Sequence, residues 1–154
     1  MNDEFFMREA IKEAYLAAEI GEVPIGAVVV RNGEIIARAH NERETGKDAT
    51  RHAEIIAIER ACAALHGWRL IGCDLYVTLE PCPMCAGACV NSRLVRVIYG
   101  ASDLRAGAFG SIMNLNDYGL NHKPEIVSGV LAEECLMPIQ DFFRKKRQKK
   151  QIDT

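Results

Sequence analysis

No apolar run in the 154 residues approaches the ~20 that a membrane span needs. The start, Met1-Asn2-Asp3-Glu4, is acidic and leads into no long apolar stretch, so no secretory signal is expected there. Internal repeats, linkers and low-complexity segments are absent. The expectation is a soluble cytoplasmic protein with no membrane partner. Paired cysteines are scarce too. Of six cysteines only Cys82 and Cys85 are closely spaced. Nothing points to an oxidising compartment, and in the cytosol a close pair is catalytic or metal-binding more often than a disulfide. Cys62, Cys73, Cys89 and Cys135 sit singly among apolar neighbours and read as small core residues.

The composition is ordinary and globular, 49% hydrophobic and 26% charged, which argues against disorder or a collagen-like scaffold. A chain of this length suits one domain, here 1–154, and should bury roughly 68–70% of its unfolded surface without disulfides. The net charge of −2 hides an asymmetry. Residues 144–154 carry six cations (Arg144, Lys145, Lys146, Arg147, Lys149, Lys150) against Asp153, a net +5, which leaves −7 for residues 1–143. Such a basic end at about 144–150 can attract a polyanion, or can simply suit a helix C-terminus.

Residues 3–20 carry Phe6, Ala10, Ile11, Ala14, Ala17 and Ala18 at helical spacing, and Gly21 is a stop. Ile25–Val30 and Glu34–Ala39 flank Asn32-Gly33, a strong hairpin signal. Residues 41–51 read as a loop. Thr50 is the expected N-cap of a helix over roughly 51–65 that Gly67 ends. Leu75–Leu79 reads as a strand, and Pro81 and Pro83 open a helix to about Ser92. Leu94–Tyr99 is the next strand, closed by Gly100, followed by a short helix near 109–116 and a short strand at Glu125–Ser128. Pro138 predicts a kink, or two helices meeting, in the last helical region. This order implies an α/β, three-layer domain whose first two strands are antiparallel and whose later ones are parallel.

The chemistry concentrates in two helix starts, His52-Ala53-Glu54 and Glu80-Pro81-Cys82-Pro83-Met84-Cys85. Thiolates and imidazole are ligands that zinc favours, and magnesium and calcium do not. Three protein ligands with no fourth in view describe a catalytic site with an open position. Glu54 lies two residues from His52, and i and i+2 do not face each other on a helix. Both serve one site only if the helix points its first turn at the metal; otherwise Glu54 is an acid favoured by the dipole. Asn41 has a donor and an acceptor suited to a purine edge, or is a turn residue. Trp68, Tyr76, Tyr99, Phe109 and Tyr118 read as core or support, and one of the adjacent Phe142 and Phe143 is expected to be exposed.

A His-x-Glu followed, after a strand, by Pro-Cys-x-x-Cys is the signature of zinc-dependent nucleobase deaminases. The flanking blocks narrow the resemblance. They are Glu22-Val23-Pro24-Ile25-Gly26-Ala27-Val28, Asn41, His52-Ala53-Glu54-Ile55, Leu75–Cys82, Met84–Ala88, Ser92-Arg93, Tyr99-Gly100-Ala101, Gly110-Ser111, Asn121-His122 and Phe142-Phe143-Arg144. Over nearly its whole length the chain resembles the bacterial tRNA-specific adenosine deaminases. That resemblance implies a cytidine-deaminase-like α/β/α sandwich with a mixed sheet of about five strands, in a homodimer. It implies hydrolysis of adenosine to inosine at the wobble position of a tRNA anticodon, typically of an arginine tRNA. Zinc, one per chain, would be held by His52, Cys82 and Cys85, with Glu54 as proton shuttle. Asn41 would hydrogen-bond the flipped base, Ile25, Val28 and Leu79 would help wall the pocket, and Ala53 would join the substrate-binding positions. Asp103 and Arg144 would lie near the anticodon loop.

Two other readings share part of the signal. A free nucleobase or nucleoside deaminase of guanine or cytidine type would use the same zinc and glutamate but give the basic end nothing to meet. A zinc-stabilised RNA-binding module without catalysis would not need Glu54.

Overall fold

The computed structural model describes residues 2–153. Helix α1 (Asp3–Glu19) is capped by Asn2, whose Oδ1 accepts the Phe5 N–H at 3.1 Å, and Asp3 and Glu4 place negative charge in its first turn. Its buried face is Met7, Ala10, Ala14 and Ala17. Strands β1 (Gly26–Arg31) and β2 (Glu34–His40) form the expected hairpin. Asn32 and Gly33 take φ of 52° and 75°, as a two-residue turn with both central residues left-handed requires. Then come α2 (Ala53–Leu65), β3 (Cys73–Leu79), α3 (Pro83–Asn91), β4 (Arg96–Ala101), β5 (Glu125–Val127) and α4 (Ala132–Asp153).

The sheet order is β2-β1-β3-β4-β5. β1 is antiparallel to β2 and β3, while β3, β4 and β5 run parallel. On one face Ala27, Val29, Leu75 and Val77 pack against Ile56 and Ala57 of α2 and Ala86 and Cys89 of α3. On the other, Val28, Val30, Tyr76 and Ile98 meet Met7 and Ala10 of α1 and Cys135 of α4. The result is the expected three-layer α/β/α sandwich with a mixed five-stranded sheet. Central strands covered on both faces read as unbroken apolar runs. The carboxyl ends of β3 and β4 lie side by side, where crevices form in such sheets. Among the described residues no helix is long and apolar enough to cross a membrane.

Several boundaries differ from expectation, each for a local reason. Thr50 does not cap α2. Its N–H and hydroxyl both donate to Asp48 Oδ1, at 2.8 and 2.7 Å, in a turn of their own, and His52 is the N-cap. The left-handed residue after α2 is His66, at φ 55°, not Gly67. Gly100 lies inside β4 instead of closing it, because a Cβ there would overlap Cys135 of α4. The helix expected near 109–116 is a bridge between Phe109 and Asn114 and a 3-10 turn at Leu115–Asp117, with Gly110 at φ 146°. α4 runs as one helix through Pro138, held by packing of Cys135 against the sheet before the proline. Trp68 and Tyr118 are exposed, unlike the buried Tyr76, Tyr99 and Phe109.

Arg96 ties α1 to the sheet. Its guanidinium, 7% exposed as a residue, bonds Asp3 and Asp74 at 3.0 Å, and Tyr76 donates its hydroxyl to Asp3 Oδ1 at 2.6 Å. The Arg96 hydrogen bond holds the Asp3 carboxyl below its ordinary value, against partial burial. A carboxyl depressed in the folded state contributes stability that is present above its unfolded pKa, about 3.9, and is lost as pH falls through the folded value. Denaturant midpoints should therefore hold from pH 7 to about 4.5 and then drop, and Asp3→Asn should be less stable at pH 7 with a shallower acid limb.

Candidate active site

His52 is the N-cap of α2 and Cys82 the N-cap of α3, with Cys85 in the first turn of α3. Both cap residues have extended backbone, and neither side chain caps its own helix, so the ring nitrogen and the thiol turn to another partner. Pro83 fits the first helical position, where its missing N–H costs nothing. Two helix N-termini thus converge on one spot, and their partial positive ends favour thiolate there.

Cys82 Sγ and Cys85 Sγ lie 3.7 and 3.5 Å from His52 Nδ1, and the three donor atoms all fall within 4.8 Å of one another. Tetrahedral zinc with S at about 2.3 Å and N at about 2.05 Å sets sulfur and nitrogen about 3.6 Å apart. The donor set therefore fits that ion in kind and in spacing. The three groups also hydrogen-bond one another. The Cys85 thiol, and after it His52, hold Cys82 down to about 4 against burial. The same contacts push Cys85 well above its ordinary value and raise His52. Glu54, in the first turn of α2, is 4% exposed, and burial pushes its carboxyl up to about 7 while its own N–H and His52 work against that. Glu54 also interacts with the Cys85 thiol and with His52, so the two residues of α2's start meet the same cluster despite their spacing.

A small pocket of about 70 Å³ brings together Ile25, Asn41, His52 and Ala53 with Val23 and Arg43. Val23 and Arg43 also line a larger groove of about 780 Å³, whose other wall includes Leu79, Asp103, Phe143 and Arg147. Expected site residues thus divide between pocket and groove. Of the expected substrate-binding residues, two belong to neither. Val28 is fully buried on the α1/α4 face of the sheet, away from His52, because side chains alternate along β1. Arg144 is exposed and paired with Asp141 at 2.7 Å, one turn back on α4; Arg147, three residues on, faces the groove in its place. Asp103 accepts the N–H groups of Arg105 and Ala106 at 3.0 and 3.2 Å, which folds its own loop. Asn41 is 5% exposed, donates to the Val23 carbonyl and accepts from Arg43 N–H, both at 3.4 Å, so its amide is loosely held.

Sequence reasoning passed over Arg43 and Glu22. Arg43 is the cation shared by pocket and groove. Glu22 is fully buried, and its carboxylate accepts the N–H groups of Glu44 and Thr45 at 3.0 and 2.5 Å, which fixes the loop carrying Asn41 and Arg43. Burial would raise that carboxyl, yet the Thr45 and Glu44 N–H groups bring it below its ordinary value.

A profile of the MafB19-like deaminases matches residues 1–147. A tRNA-specific adenosine deaminase of Bacillus subtilis is 59% identical over 149 residues, which is 96% of this chain and 92% of that protein. One from Haemophilus influenzae is 46% identical over 98% of this chain and 88% of its own. A solved structure from work on A-to-I editing by tRNA:A34 deaminases at the wobble position superposes with a TM-score of 0.85 at 45% identity, covering 87% of this chain and 98% of that one. A guanine deaminase from Bacillus subtilis superposes with 0.63 at 31% identity, over 94% and 95%.

Proposed function

The chain belongs to the tRNA-specific adenosine deaminases, within the MafB19-like deaminase family, and from that premise we propose that it converts adenosine to inosine at the wobble position of a tRNA anticodon loop. The observation that carries this reading is the junction of pocket and groove. Ile25, Asn41, His52 and Ala53 line a pocket beside the metal donors, and it opens through Val23 and Arg43 into a groove that also holds Arg105 and Arg147. A free base needs the pocket alone; a nucleotide within a phosphate backbone needs both. Zinc held by His52, Cys82 and Cys85, a homodimer, an arginine tRNA and action in the cytoplasm belong to the same reading.

Zinc bound there would supply Lewis-acid activation of water near neutral pH. The chain's own groups do the remainder. Asn41 presents amide donor and acceptor to the flipped purine, with Ile25 and Ala53 against its faces. The Glu54 carboxylate takes a proton from the attacking water and passes it to N1 as oxygen bonds to C6. Glu54, a carboxylate again, then takes the second water-derived proton from the new C6 hydroxyl and delivers it to the C6 amine; the C–N bond breaks as the C6 carbonyl forms, and ammonia and inosine result. A carboxyl that burial sets near neutrality can both accept and return a proton at pH 7.

Incubation of purified protein with total tRNA, and separately with free guanine, adenosine and cytidine, tests the reading. Inosine should form in tRNA. Turnover of guanine or cytidine with none in tRNA would assign the chain to the other deaminase class.

The basic end of α4 divides by helical geometry. Phe143 and Arg147 face the groove beside the pocket, whereas Lys145, Lys146 and Lys149 line a second groove with Tyr15 and Phe142 against α1. Each phosphate neutralised along single-stranded RNA adds about −0.7 to the slope of log affinity against log salt. Replacing Lys145, Lys146, Lys149 and Lys150 with glutamine should weaken RNA binding and flatten that slope, with little change in turnover of saturating RNA. An unchanged slope would leave the polyanion to Arg43, Arg105 and Arg147. Arg96 is not a candidate, being buried between Asp3 and Asp74.

A further inference from the structure

Glu80 follows the last residue of β3, two residues before Cys82, and it is 2% exposed. A carboxylate so buried must have its acceptor capacity filled. The four donors that fill it come from a single loop, the one that follows β4. Oε1 accepts the Asp103 N–H at 3.1 Å and the Ser111 hydroxyl at 2.5 Å. Oε2 accepts the Phe109 N–H at 3.0 Å and the Ser111 N–H at 3.1 Å. The main chain repeats the connection, since Ala108 N–H donates to the Pro81 carbonyl at 2.9 Å. At Gly107 the loop passes so close that a Cβ would overlap the Glu80 carboxylate.

The loop tied down in this way carries Ser102, Asp103, Leu104 and Arg105, which form one wall of the groove, facing Val23 and Arg43. We propose that Glu80 is a positioning residue that sets this substrate-facing wall against the metal-ligating segment, and so governs how the nucleotides flanking the target base are held. The inference rests on the reading of the groove as the RNA site. Hydrogen bonds to a charged, buried acceptor are the strong kind, and here they replace a counter-charge with oriented N–H groups. Glu80 itself reaches neither pocket nor donor triad, so its effect on the chemistry passes through the loop.

Glu80→Gln keeps the shape but offers one acceptor oxygen and turns an NH2 toward N–H donors, so about half of the four bonds fail. With the zinc-loaded enzyme and an anticodon stem-loop RNA, KM should rise about tenfold while kcat stays within about threefold and zinc content is unchanged. Amide exchange should quicken at Asp103, Phe109 and Ser111 and nowhere in α1 or β1. Gly107→Ala keeps the carboxylate but forces it and the loop apart, and should reproduce the KM rise. Should Glu80→Gln fail to fold, Ser111→Ala removes one hydroxyl donor and should raise KM by a smaller factor with zinc intact. Unchanged KM and unchanged loop exchange in a folded variant would overturn the proposal. So would loss of zinc and faster exchange throughout the molecule, which would make Glu80 a general stabiliser. A wild-type enzyme inactive on every RNA would instead overturn the reading of the groove, and local exchange in Glu80→Gln would still show whether the carboxylate holds the loop.

Discussion

Cys82→Ala and Cys85→Ala protein should be isolated with almost no zinc and no measurable deamination, against about one zinc per chain in the parent. Both sulfurs stand within 3.7 Å of His52 Nδ1, and no other His, Cys, Asp or Glu joins them in a cluster among the described residues. Removing either leaves two donors for an ion that takes three from the protein at a catalytic site. Bound metal also stabilises the folded state by mass action, so both variants and the chelator-treated parent should melt earlier than the zinc-loaded parent. Metal content by mass spectrometry decides the matter: either variant at parental zinc would remove that cysteine from the ligand set.

Glu54→Ala separates ligation from proton transfer. The three donors remain, so zinc should stay at about one per chain, while deamination falls by about two orders of magnitude or more, the usual worth of a positioned acid–base group. Glu54→Gln should behave alike, because the amide fills the buried space but carries no exchangeable carboxyl proton. The thermal midpoint should not fall, since the carboxylate is buried at a cost to its charged form. Near-parental turnover in Glu54→Ala would return the residue to the role of an acid at a helix start.

The convergence of His52, Cys82 and Cys85 and the layer order were legible because each rests on a pattern local in sequence. Asn32-Gly33 is a turn whatever surrounds it, and proline before a helical run marks a start at Pro83. What escaped is long-range. Thr50 has the better capping side chain, but Asp48 captures it, and the helix begins where His52 must sit. Val28 and Ala27 look alike in a strand covered on both faces, and only α1 shows which of them turns from the site. The loop anchors Glu22 and Glu80 bond mainly to backbone N–H groups 22 to 31 residues away. No side-chain pattern announces such partners. Arg144 and Arg147 are equivalent in a basic run; the helix phase separates them.

The donor residues His52, Cys82 and Cys85 sit at two helix starts, whereas the pocket and groove draw on the loops through Asn41 and Arg43 and through 102–105. This division makes the scaffold open to retargeting. Libraries drawn over those two stretches would vary what the enzyme recognises while leaving its ion and its proton carrier undisturbed. The second stretch cannot be extended through Gly107, because any other residue there would strike the Glu80 carboxylate. Insertions at 106–111 would break the N–H bonds to Glu80 and Pro81, and insertions at Glu44 and Thr45 those to Glu22. Variants selected for a new base context should therefore gather on the first stretch and at Leu104 and Arg105, and should spare the second half of the other loop.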